Sequence, residues 1–139
     1  MAGSHRYIAM LMTVLLWLAP NAYARPVFVQ VEGGETAFVV DIEAQKASWV
    51  LDDCHRPLPV KSVKGSLLES GTLSDTVDLG ERRVQLEQRF RFDVSDVPRA
   101  EIYNSVRGGW APVPVRVETT CHQSAECRAR MELPRCAAD

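Results

Sequence analysis

The sequence predicts a mostly β fold: a single small antiparallel-sheet domain with one short helix, stapled by disulfides, with an α+β arrangement as its nearest variant. Three observations carry this. Residues Val84 to Val94 alternate apolar and polar, four cysteines sit in a chain of only 139 residues, and turn-forming Gly and Pro punctuate short Val- and Phe-rich runs. The N-terminus adds the compartment. His5 and Arg6 precede an uncharged apolar run from Tyr7 to Ala19, Pro20 and Asn21 break it, and Ala22-Tyr23-Ala24 offers a cleavage site. Thirteen apolar residues span about 20 Å, short of the roughly 30 Å hydrocarbon core of a bilayer. Residues 1–24 therefore read as a cleaved signal peptide and residues 25–139 as one exported domain, periplasmic or secreted, with no stable membrane insertion after cleavage.

The elements follow in order. Val27, Val29 and Val31 alternate with Phe28 and Gln30, Gly33-Gly34 interrupts, and a β-type run resumes to Ile42, which predicts a hairpin. Residues 43–53 lean to a strand with Trp49 inward. Pro57 and Pro59 predict an extended connection over 55–60. Residues 61–83 lack a sustained period and read as a long connection with one short strand around 76–79. Next comes the clearest strand, with Phe90 on its buried side and Arg89 opposite. A Ser95 or Asp96 cap, Pro98 and the Gly108-Gly109 stop predict a short helix with Val97, Ala100, Tyr103 and Val106 as its stripe. Pro112 and Pro114 predict that the strand over 111–119 lies at an edge or starts late, at Val115. A last strand carries Ala129, Met131 and Leu133.

Charge excludes some partners. The chain has a net charge of −2, and about −3 without Arg6, with 13 Arg and 3 Lys among its bases. Arg82, Arg83, Arg89 and Arg91 are interleaved with Glu81 and Glu87, a solvated strand face rather than the basic stripe a nucleic acid demands. The Arg excess and the lack of an N-x-S/T acceptor lean towards a bacterial envelope.

Cysteines 54, 121, 127 and 136 in an exported chain predict two disulfides. The spacings do not suit a zinc site, and no C-x-x-C supplies a redox motif. Residues 122–126 form a short polar loop that cysteines on flanking strands can close, so the favoured pairing is Cys121 with Cys127 and Cys54 with Cys136. The long loop closed by the second pair contributes about 4 kcal/mol in the chain-entropy model.

Both histidines of the exported domain directly follow a cysteine, in Cys54-His55 and Cys121-His122. They read as exposed loop residues, because neighbours on a strand point to opposite faces. No nucleophile elbow, phosphate-binding loop or tight carboxylate pair other than Asp52-Asp53 is present, so neither an enzyme nor a cofactor is expected. A covalently closed loop on a small exported domain is a device of proteinaceous inhibitors and immunity proteins, because it loses little entropy on entering a partner. The expectation is thus a module that binds another protein, with His122, Gln123, Glu126, Trp110 and Tyr103 in contact. The alternatives are an envelope accessory subunit that recruits a neighbour by strand addition, and a small hydrolase whose site carries no recognisable motif.

Overall fold

The computed structural model describes residues 25–137, so the signal reading of residues 1–24 lies outside the described residues. Among the described residues eleven strands are arranged in two antiparallel sheets. The first runs in the order β11 (Val115–Glu118), β1 (Val27–Val31), β2 (Ala37–Asp41), β3 (Lys46–Val50) and β4 (His55–Leu58). The second runs β10 (Gly109–Val113), β9 (Arg99–Asn104), β8 (Arg83–Asp93), β6 (Leu67–Ser70) and β5 (Val60–Lys64), with β7 (Leu73–Asp78) pairing the first half of β8. The chain passes between the sheets twice, at Pro59 and at Pro114. Each proline carbonyl accepts a backbone hydrogen bond, from Gly71 N at 2.7 Å and from Glu32 N at 2.9 Å. Proline suits these crossings because it continues no ladder.

Alternation sorts each strand into a face. Val29, Phe38, Val40, Ala47 and Leu58 of the first sheet meet Leu68, Phe90, Phe92 and Ala100 of the second in one buried cluster. Phe38 lies at its centre, with ring centroids 4.8 Å from Phe92 and 5.3 Å from Phe90. Trp49 faces inward as its alternation predicts, 5.8 Å from Phe90. At the margin, Arg56 of β4 makes a two-pronged ion pair with Asp75 of β7, at 3.0 and 2.7 Å, linking the sheets. Ser70 is buried at the break between β6 and β7. Its hydroxyl accepts from Phe90 N and donates to Gly71 O, both at 2.8 Å, and so replaces an interrupted ladder bond.

The first hairpin, the inward Trp49 and the strand from Arg83 to Asp93 stand as the alternation predicts. Both readings of the Pro112–Pro114 segment hold at once: β10 is an edge strand of one sheet, and β11 starts at Val115 as an edge of the other. The structure corrects four other readings. Residues 55–60 and 61–83 hold β4, β5, β6 and β7 rather than two connections, and the one short strand expected around 76–79 overlaps the end of β7. Pro57 is tolerated because β4 is an edge with Pro57 exposed, and the missed strands are short, with their period cut by turns such as Gly65 at φ 60°.

The helix expected after Ser95 is β9. Ala100 and Ile102 turn inward at a period of two, whereas Val97 and Val106, counted in the helical stripe, are 65% and 70% exposed. Pairing with β8 on one side and β10 on the other overrides the local helix signals.

Conversely, the strand expected through Ala129, Met131 and Leu133 is the helix α1 (Ala125–Met131), preceded by a 3-10 turn (Cys121–Gln123). The Ser124 hydroxyl caps α1 by accepting from Cys127 N at 3.3 Å. Cys127 and Met131, four residues apart, share the face that packs on the sheet.

Candidate functional site

The two disulfides are Cys54–Cys136 and Cys121–Cys127, and no free cysteine remains among the described residues. They suggest an oxidising, non-cytosolic compartment. Among the described residues no helix is long and apolar enough to cross a membrane, and no cluster of His, Cys, Asp or Glu could hold a metal ion.

The five residues expected to contact a partner fall on opposite sides of the sandwich. His122 and Gln123 lie on the 3-10 turn and Glu126 in the first turn of α1, all exposed. The Cys121–Cys127 bond closes this segment, although it joins a turn to a helix rather than two strands. It packs against the outer face of the first sheet, where Phe28, Ala37, Val50 and Cys121 form a second buried cluster with Cys127, Met131 and Leu133. Tyr103 and Trp110 instead occupy the outer face of the second sheet, because their neighbour Ile102 packs on the inner core. One contact area cannot contain both sets.

Tyr103 and Trp110 are directly paired across β9 and β10, with ring centroids 5.7 Å apart. Two guanidinium groups from β8 lie over them: Arg89 is 4.3 Å from the Tyr103 centroid, and Arg91 is 3.8 Å from that of Trp110. Arg91 also meets Glu69 at 3.3 Å, while Arg89 has no carboxylate partner among the described residues. All four side chains are half-buried. These arginines are therefore ordered on aromatic faces rather than merely solvated. Sequence alone could not pair Arg89 with Tyr103, since their register is a contact between strands. On the same outer face Asp93 accepts from Ser66 Oγ at 2.7 Å and from Ser95 N at 3.1 Å. The Ser66 bond above all holds the Asp93 carboxyl below its usual range; burial opposes it, and the bonds from Ser95 and the charge of Arg99 add to the lowering.

A third arrangement lies on the first sheet beside α1. A groove of about 580 Å³ is lined by Val39, Lys46, Ser48 and Pro57 on the sheet side and by Leu133 and Arg135 on the other. The C-terminal wall is held in three ways: the Cys54–Cys136 bond, backbone hydrogen bonds from His55 N to Pro134 O and from Cys136 N to His55 O, both 2.8 Å, and the His55 side chain. His55 Nε2 lies 2.6 Å from the Arg130 carbonyl of α1, and Nδ1 lies 3.1 Å from Ser48 Oγ. The expectation of an exposed loop histidine holds for His122 and fails for His55, which is half-buried at the start of β4. Asp52 and Asp53 are exposed. Compared with known families, curated proteins and solved structures, this chain matches none.

Proposed function

We propose that this chain is a periplasmic or secreted binding module, of inhibitor or immunity type, that engages another protein through the outer face of its second sheet. The observation that carries the reading is the stack of Arg89 and Arg91 over Tyr103 and Trp110. Tyr, Trp and Arg dominate the energetics of protein contacts, and here packing has already restricted their motion. Nothing among the described residues covers that face, whereas the corresponding face of the first sheet is covered by α1. The stapled turn with His122, Gln123 and Glu126 is the other place where a partner could dock at little ordering cost.

The test is capture of a partner from the native envelope or secreted fraction, followed by affinity measurements on the purified pair. Trp110→Ala should weaken binding at least tenfold, about 1.4 kcal/mol, and the triple Ala variant at His122, Gln123 and Glu126 should bind like the parent. The opposite pattern moves the contact to the stapled turn. If the parent retains no protein above a blank matrix, the binding reading fails.

The accessory-subunit reading has its own support. Strand β9 ends at Asn104, opposite Gln88, so the β8 segment before Glu87 extends past it with β7 as its paired neighbour. That leaves an open edge to which a further strand could add.

A further inference from the structure

We infer that Ser48 and His55 form a nucleophile and base that cleave acyl esters in the groove beside α1. This activity does not depend on the partner-binding reading, since the groove lies on the other sheet.

The Arg130 carbonyl can only accept, so His55 Nε2 must carry the hydrogen across the 2.6 Å contact. In the neutral ring this leaves Nδ1 with a lone pair, and the Ser48 hydroxyl 3.1 Å away donates to it. A hydroxyl on a base, and that base held in one tautomer by a third group, is the arrangement that activates a serine. Here the third group is a main-chain carbonyl of the last turn of α1. The second ring nitrogen meets a hydroxyl, and both residues line the same groove, where a ligand can reach them.

The groove also supplies what an acyl substrate requires. Val39, Pro57 and Leu133 give apolar walls, which suit an apolar acyl group. Lys46, two residues from Ser48 on the same side of β3, and Arg135 line the groove together with Asp41, the cross-strand partner of Lys46, and the two cations are the groups available to a developing oxyanion.

In the reaction, Ser48 Oγ bonds to the ester carbonyl carbon as its proton passes to Nδ1. The alkoxide leaves when the carbon–oxygen bond breaks, and it takes that proton. Water then attacks the acyl-serine, giving a proton to Nδ1 and from there to Oγ, which releases the carboxylic acid. No oxidant or cofactor is consumed.

A fluorophosphonate probe tests the inference on the mature protein, with p-nitrophenyl butyrate as the turnover substrate. Mass spectrometry should place one adduct on Ser48, absent in Ser48→Ala. His55→Gln should lower both the labelling rate and butyrate hydrolysis at least tenfold. Gln can still donate to the Arg130 carbonyl, and thermal melts of each variant check that the fold survives. Ser48→Ala leaves the His55 to Arg130 bond in place, so it decides the question if His55→Gln fails to fold. Absence of an adduct on Ser48, or equal labelling of Ser48 in parent and folded His55→Gln, overturns the inference.

Discussion

On the first sheet the outward positions of β1, β2 and β3 include Phe28, Ala37, Val39 and Val50; on the second, Arg89, Arg91, Glu101, Tyr103 and Trp110 hold the outward positions of β8, β9 and β10. Both sheets contribute apolar residues to the shared core. Only the first has a buried apolar patch on its other face as well, and it is this patch that the 3-10 turn, α1 and the C-terminal segment cover. The second sheet leaves its outer face uncovered and holds its arginines on aromatic rings instead. The composition of an outer face thus dictates whether chain must cover it, and here both disulfides hold the covering segment, Cys121–Cys127 within it and Cys54–Cys136 tying it to the turn before β4. An antiparallel sheet tolerates water on one face only when that face is polar.

Truncating one aromatic residue on each outer face separates the two faces most strongly. Phe28→Ala should destabilise by about 3 to 5 kcal/mol, because Phe28 is buried under α1 and a cavity would remain. Trp110→Ala should cost about 1 kcal/mol in urea unfolding, chiefly through lost stacking. Equal costs would mean that the second outer face is structural rather than open.

Removing the covering segment's staples comes next. In the chain-entropy model, Cys54→Ala with Cys136→Ala should lose about 4 kcal/mol, for a separation of 82 residues, and Cys121→Ala with Cys127→Ala about 2 kcal/mol, for a separation of 6. Denaturant midpoints of the two double variants would rank them, and the reverse order would show that fixing the first turn of α1 matters more than tying down the C-terminus.

A smaller effect concerns pH on the second face. Because the folded carboxyl of Asp93 is held below its ordinary value near 4, its contribution is present above that pH and lost as the pH falls through the lower folded value. Asp93→Asn should therefore flatten the acid limb of the stability profile below about pH 4 and leave the neutral region parallel to the parent. A profile that loses its slope above pH 6 instead would point to a different titrating group.

The smallest expected changes separate stacked from solvated arginines. Arg89→Ala should cost about 0.5 to 1 kcal/mol through its contact with Tyr103. Arg116→Ala, whose 2.7 Å partner is Glu118 on an exposed edge, should shift stability by less than about 0.5 kcal/mol in thermal melts.

How much of this was legible in the chain depended on how local each signal was. The period of two from Val84 to Val94 gave β8 and the burial of Phe90, because alternation on a long strand needs no partner to be read. The loop between Cys121 and Cys127 gave its own disulfide, and elimination gave the other. The strands over 55–70 were missed because none exceeds five residues, too short to show a period. Ser95 to Val106 carried a cap, an N-terminal proline and a glycine stop, yet forms β9 between two neighbours.

By itself, then, the sequence determined a β-rich disulfide-stapled domain and the inward face of its longest strand, and it favoured without fixing the pairing of cysteines, since burial of alternating apolar residues is set by near neighbours whereas a bridge 82 residues apart is not. Tertiary structure alone decided that residues 125–131 are helical, that Arg89 and Arg91 stack on Tyr103 and Trp110, and that Ser48 meets His55 beside α1. Each of those depends on which strands lie side by side or on which face of a sheet is left uncovered, and contacts made across a strand pair leave no period in the sequence to read.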